Sequence, residues 1–258
     1  MKTARQRTID GHKKARKDTK VERRLSPSSA ASTRVLLFVF LCAFSWLANS
    51  DASAQGTLAR KDPASALFES EIAAFEKWDR QNAFPKHSVL FVGSSSIRLW
   101  QTAEAFPDLP VINRGFGGSS ISDVNHFFDR IVLKYKPRVI VFYSGDNDIA
   151  DGKSPRQVYD DFAEFVRLVR DRLGKTPIYF ISIKPSIARL RLWPKMKEAN
   201  TFVQRLAGIS GQVVFVDVAS PMFDGKDVPA RNLFLEDGLH LNAAGYELWN
   251  KTLAPALK

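Results

Sequence analysis

Four short segments, far apart in the chain, carry the residue types from which an acyl-transfer site is built: Gly93-Ser94-Ser95-Ser96, Gly117-Gly118, Gly145-Asp146-Asn147-Asp148 and Asp237-Gly238-Leu239-His240. A serine hydroxyl attacks a carbonyl only when a base takes its proton and a further acceptor holds that base in one tautomer. Three histidines follow residue 54, namely His87, His126 and His240, and His240 is the best base among them. It alone has a carboxylate three residues before it in a glycine-containing loop, so Asp237 can take the Nδ1 proton while Nε2 faces the serine. By itself this spacing also fits an ordinary surface loop. His126 falls in a helical stretch and reads as an ordinary half-buried histidine.

The oxyanion of an acyl transfer needs donors aimed at it, and the candidates are the backbone N–H groups of Ser95 and Gly118 and the side-chain amide of Asn147. Each has a plainer reading, since Gly-Gly marks a turn with positive φ and asparagine steadies turns. Asp146, Asp148 and Asp151 read as capping carboxylates, because no pair of histidines stands at metal-ligand spacing. No metal and no cofactor is expected. Lys184, Arg189, Arg191 and Trp193 either line the substrate side of a crevice, meeting an anionic or sugar substrate, or form a solvated loop with one packed tryptophan. Tyr246 and Trp249 stand at helical spacing and read as core.

The elements that must position these residues are five apolar runs: Ser88–Gly93, Pro110–Asn113, Arg138–Ser144, Pro177–Ile183 and Gln212–Asp217. None alternates with polar residues, which suits strands buried on both faces of a parallel sheet. Helical patterns lie between them. The clearest runs from Ser154 to Leu173, with a capping box at Ser154 and Gln157, a stripe of Val158, Phe162, Phe165, Val169 and Leu173, and a stop at Gly174. Further helices are expected over 63–80, opened by Asp62-Pro63, and over 120–135, 194–209 and 243–254, the last capped by Asn242. Parallel neighbours need crossover helices, so the fold class is α/β: a three-layer αβα sandwich around a five-stranded, doubly wound, flavodoxin-like sheet. Function in such sheets sits beyond the carboxyl ends of the strands, where the first three motifs fall directly and the fourth follows the last strand.

In this order the four blocks resemble the SGNH hydrolases, also called GDSL-type esterases and lipases, over about residues 64–257. Phe91–Trp100 is similar to the first family block, Asn113–Ser119 to the second, Gly145-Asp-Asn-Asp148 to the third, and Leu235–Asn242 to the last. The resemblance implies Ser95 as nucleophile, Asp237 and His240 as the rest of a triad, and Ser95, Gly118 and Asn147 as the oxyanion hole. Where the family usually has aspartate before the nucleophile this chain has Ser94, so the assignment to Ser95 depends on alignment, with Ser94 or Ser96 as the fallback. The implied activity is cofactor-free hydrolysis of carboxylic esters such as O-acetyl or short acyl esters or lysophospholipids. The rival reading is a non-catalytic envelope protein of the same fold that binds glycans or lipids. A receiver-type signalling domain would need an acidic pair after the first strand, where this chain has serines.

Charge separates the front of the chain from its body. Residues 1–54 hold 11 Lys/Arg and 4 Asp/Glu, and residues 55–258 hold 27 and 23. A basic, polar stretch over 2–24, an apolar run from Val35 to Ala48, and Ala52-Ser53-Ala54 follow the order of a secretory signal peptide. The apolar run is shorter than the roughly 20 residues of a spanning helix. Cleavage after Ala54 and a periplasmic or secreted location are therefore expected, with an inner-membrane anchor as the alternative. The basic arm reads as part of that signal rather than a nucleic-acid contact, so the expected partner is a small-molecule, glycan or lipid ester. The only cysteine, Cys42, lies in the apolar run, which excludes a cysteine nucleophile, a zinc-thiolate site and a disulfide framework from the body. The expected organisation is a signal or anchor over 1–54, a linker over 55–62 and a hydrolase domain over 63–258.

Overall fold

Apolar runs without alternation must be covered on both faces, and the computed structural model, which describes residues 65–225 and 227–257, shows how. The strands are β1 (Val89–Gly93), β2 (Val111–Gly115), β3 (Val139–Tyr143), β4 (Ile178–Ile181) and β5 (Val213–Val216). They form one sheet in the order β2-β1-β3-β4-β5, every pairing parallel. Successive side chains on a strand point to opposite faces. Leu90, Val92, Ile140, Phe142, Ile178 and Phe180 thus enter one core, while Val89, Phe91, Val139, Val141, Tyr143 and Ile181 enter the other.

The helices are α1 (Ser65–Gln81), α2 (Ser95–Arg98), α3 (Thr102–Ala105), α4 (Ile121–His126), α5 (Phe128–Ile131), α6 (Asp146–Ala150), α7 (Pro155–Leu173), α8 (Trp193–Ser210) and α9 (Ala243–Leu253). Ile72 of α1, Val124 of α4, Phe162 and Phe165 of α7 and Val203 of α8 fill the first core. Trp249 and Leu253 of α9, with Trp100, fill the second. The result is the expected three-layer, doubly wound sandwich. The predicted capping box opens α7: Ser154 Oγ accepts from Gln157 N–H at 3.2 Å, and Gln157 Oε1 accepts from Ser154 N–H at 2.8 Å. Asn242 likewise caps α9 through the Gly245 N–H at 3.1 Å. Among the described residues no helix is long and apolar enough to cross a membrane. The expected signal segment, the linker and the Asp62-Pro63 helix start lie outside the described residues.

Two expectations are corrected. The stretch 120–135 is not one helix but α4, α5 and a 3-10 turn over Leu133–Tyr135. Phe127 and Phe128 are both 2 % exposed, whereas adjacent residues of a continuous helix point about 100° apart; breaking the helix at Phe127 lets both rings reach the core. His126, at the end of α4, is exposed rather than half-buried, its ring edge-on to Phe127.

α1 is fastened to the sheet by a buried ion pair. Asp79 accepts from Arg114 Nη2 at 2.7 Å, Lys134 Nζ at 2.6 Å and Tyr135 Oη at 2.7 Å, and its side chain is 1 % exposed. The Arg114 guanidinium also lies against the rings of Phe75, Trp78 and Tyr135. Burial alone would raise the Asp79 carboxyl, but the hydrogen bonds from Lys134 and Tyr135 and the Arg114 charge outweigh it and hold it below the usual 3.8. Asp79→Ala leaves Arg114 buried without its counter-charge, so urea unfolding at pH 7 should show a loss of about 3–5 kcal/mol. A depressed carboxyl contributes stability above its unfolded value and loses it on acidification. The gap between wild type and variant should therefore narrow as pH falls below 3.8.

Candidate active site

β1 ends at Gly93, whose φ of 140° is one that side-chain-bearing residues rarely adopt and where a Cβ would overlap the Tyr143 carbonyl of β3. That carbonyl instead accepts the Ser94 N–H at 3.0 Å, and the chain turns sharply into α2. The turn sorts the three serines. Ser94 and Ser96 are buried at 0 % and 2 % exposure, and Ser95 is half-buried at the head of α2. The Ser94 hydroxyl has no hydrogen-bond partner among the described residues. Tyr246 of α9 braces the segment from below, donating to the Ser96 carbonyl at 2.9 Å.

The loop before α9 delivers the imidazole. Asp237 Oδ1 accepts the backbone N–H groups of Leu239 at 2.8 Å and His240 at 3.0 Å, which curls the loop into one turn. Its other oxygen, Oδ2, lies 2.6 Å from His240 Nδ1, and His240 Nε2 lies 3.1 Å from Ser95 Oγ. The hydrogen bond from His240, and next the one from Leu239 N–H, lower the Asp237 carboxyl to about 2. An ionised carboxylate only accepts, so Nδ1 carries the ring proton and Nε2 is free to accept from the serine. The structure thus brings Ser95, His240 and Asp237 into one hydrogen-bonded line.

Two further strand ends close the opposite side. After β2, the Gly117 N–H is taken by Glu71 Oε2 at 3.2 Å, while the Gly118 N–H has no acceptor among the described residues. Gly118 is exposed, its φ is 78°, and no atom stands where a side chain would go. The Ser95 N–H occupies the first turn of α2, where backbone donors have no intrahelical acceptor. After β3, the buried Asn147 donates from Nδ2 to the Ser119 carbonyl at 3.0 Å, tying the third block to the second. Asp148 strengthens that tie, accepting the Ile121 N–H at 3.1 Å and Lys153 Nζ at 2.7 Å. Burial pushes its carboxyl up to about 6 against the pull of Lys153.

Asp146 and Asp148 are thus partners of basic side chains, and among the described residues no group of three or more His, Cys, Asp or Glu is placed to hold a metal. Neither half of the expectation for the loop after β4 describes it fully. Lys184 is 1 % exposed beneath the site, 3.5 Å from Asp146, and burial lowers its amine below the usual lysine range with Asp146 acting against it. Arg189 reaches Asn147 and Asp146 with one nitrogen, at 3.0 and 3.3 Å. Arg191 is exposed and Trp193 packs on Phe223. Sequence reasoning missed the bracing by Tyr246, read as core. The signal was there in part, because Tyr246 and Trp249 follow the last motif at helical spacing.

A parallel αβα sandwich with serine, imidazole, carboxylate and amide-bearing loops gathered at the carboxyl ends of the strands is the arrangement of the SGNH hydrolases. The chain belongs to the GDSL-like Lipase/Acylhydrolase family, whose sequence profile matches residues 96–248. Solved structures share the fold at low sequence identity. A protein from Streptococcus pneumonia assigned provisionally as a platelet activating factor is 23 % identical, with a TM-score of 0.66 over 75 % of this chain and 94 % of that one. A GDSL-like lipase from Bacteroides thetaiotaomicron is 20 % identical, with a TM-score of 0.60 over 75 % and 97 %. A variant of an acetyl-xylooligosaccharide esterase from Geobacillus is 14 % identical, with a TM-score of 0.55 over 67 % and 95 %. A search of curated proteins finds no match.

Proposed function

We propose that the protein is a serine esterase that hydrolyses carboxylic esters through Ser95, His240 and Asp237, with the Ser95 and Gly118 N–H groups and the Asn147 amide as its oxyanion hole. The observation that carries this reading is the line from Asp237 Oδ2 through His240 to Ser95 Oγ, with contacts of 2.6 and 3.1 Å. As Ser95 Oγ bonds to the ester carbonyl carbon, His240 Nε2 takes its proton and the carbonyl π pair moves to oxygen. Collapse of that intermediate breaks the bond to the alcohol, which leaves with the proton from Nε2. Water then repeats the sequence on the acyl-enzyme, releasing the carboxylic acid and restoring the serine. Asp237 keeps the ring in the productive tautomer and steadies the imidazolium.

The substrates proposed are short acyl or O-acetyl esters, with lysophospholipids as a further class. The domain over 63–258 is proposed to act outside the cytoplasm after removal of 1–54. The test is hydrolysis of p-nitrophenyl acetate, acetylated xylooligosaccharides and lysophospholipids by protein beginning at Gln55, with Ser95→Ala as control. Absence of hydrolysis by the wild type would favour the rival, a binding protein of this fold, and hydrolysis that persists unchanged in the control would take the nucleophile's role from Ser95. Asn147→Ala should lower kcat by roughly 10²–10³-fold if the amide donates to the oxyanion, measured with p-nitrophenyl acetate; a near-normal kcat would remove it from that role.

A further inference from the structure

We propose that Arg189 is the positioning residue of Asn147, fixing the amide so that one Nδ2 hydrogen stays available to the oxyanion; this rests on the esterase reading above. An arginine only donates and a backbone carbonyl only accepts. Arg189 Nη1 donates to Asn147 Oδ1 at 3.0 Å, and Asn147 Nδ2 donates to the Ser119 carbonyl at 3.0 Å. A flip of the amide would set Nδ2 against the guanidinium and Oδ1 against the carbonyl, breaking both bonds at once. One of the two Nδ2 hydrogens is used by Ser119, which leaves the other. The positive charge beside Oδ1 also draws electron density from the amide nitrogen, which makes its N–H groups better donors.

Arg189 is itself held. Its Nη1 lies 3.3 Å from Asp146, whose carboxylate is also 3.5 Å from the buried Lys184. Its backbone N–H donates to Ser186 Oγ at 3.3 Å, and the preceding Ala188 N–H donates to the Gly238 carbonyl at 3.1 Å. Gly238 stands between Asp237 and His240, so the loop after β4 touches both the proton-transfer turn and the oxyanion amide. Arg189 itself touches neither the nucleophile nor the base.

The test is a double-mutant cycle on kcat and KM for p-nitrophenyl acetate with wild type, Arg189→Ala, Asn147→Ala and the double variant. Arg189→Ala should lower kcat by about 10–100-fold with KM within about twofold. In the Asn147→Ala background the same change should cost almost nothing, because the amide it orients is gone. Arg189→Lys, which can restore one bond to Oδ1, should recover part of kcat. Multiplicative losses in the cycle, an unchanged kcat, or a loss confined to KM would overturn the inference. Should Arg189→Ala not fold, Arg189→Gln and Arg189→Lys are put through the same cycle and read the same way. If Ser95→Ala is inactive while the Arg189 coupling is absent, only this inference falls. If wild type itself does not hydrolyse the ester, the esterase reading falls and takes it along.

Discussion

Ser95→Ala should reduce p-nitrophenyl acetate hydrolysis by roughly 10⁴–10⁶-fold, while Ser94→Ala one residue away should leave it nearly intact. The contrast is demanding because three serines stand in a row and only geometry separates them. Ser95 Oγ lies 3.1 Å from His240 Nε2, whereas the Ser94 hydroxyl is fully buried and has no partner among the described residues. An unsatisfied buried hydroxyl carries a desolvation penalty of about 1–3 kcal/mol. Its removal in Ser94→Ala should leave thermal stability unchanged or slightly raised, and a modest cavity is the only opposing effect. The paired outcome to measure is therefore activity lost at Ser95 and retained at Ser94. The reverse pattern would make Ser94 the nucleophile and overturn the assignment to Ser95.

Asp237→Asn should lower kcat/KM by about 10³–10⁴-fold with little change in fold. An asparagine amide in place of Oδ2 can donate to Nδ1, which moves the ring proton to Nε2 and leaves the serine without an acceptor. The His240 hydrogen bond, followed by that of Leu239 N–H, holds the native carboxyl at about 2. Its ordinary value of 3.8 lies higher, so the stability it contributes is complete above that value and fades as pH falls toward 2. No titration of Asp237 intervenes from about pH 5 upward, so wild type and variant are compared at neutral pH with the native carboxylate fully ionised. A deficit under tenfold would detach Asp237 from the mechanism.

The sheet was legible because its signal is short-range. Unbroken apolar runs such as Arg138–Ser144, punctuated by glycine, state both their extent and their burial on two faces. Helix α7 declared its start through Ser154 and Gln157, whose reciprocal bonds span three residues. The meeting of Ser95, His240 and Asp237 was legible for a related reason, since Asp237 and His240 lie on one turn and the parallel topology carries Ser95 to the same edge. What the sequence withheld depends on side chains meeting across the fold. The break at Phe127 follows from two adjacent rings both needing the core, which a local pattern does not reveal. The contact of Arg189 with Asn147 joins residues 42 apart, and nothing in Lys-Pro-Ser-Ile-Ala-Arg distinguishes an amide clamp from a solvated loop. The burial of Lys184 is unreadable for the same reason.

The two hydrogen bonds of the His240 ring differ in how they are held. Asp237 and His240 are secured by a turn of four residues in which the Asp237 carboxylate accepts two backbone N–H groups, whereas Ser95 and His240 are 145 residues apart and meet only because the sandwich is intact. Gentle heating should therefore separate hydroxyl from imidazole before it separates imidazole from carboxylate. Thermal inactivation would then run ahead of any change in the histidine's own proton resonance, so the catalyst would fail by disassembly of its parts while each part kept its shape.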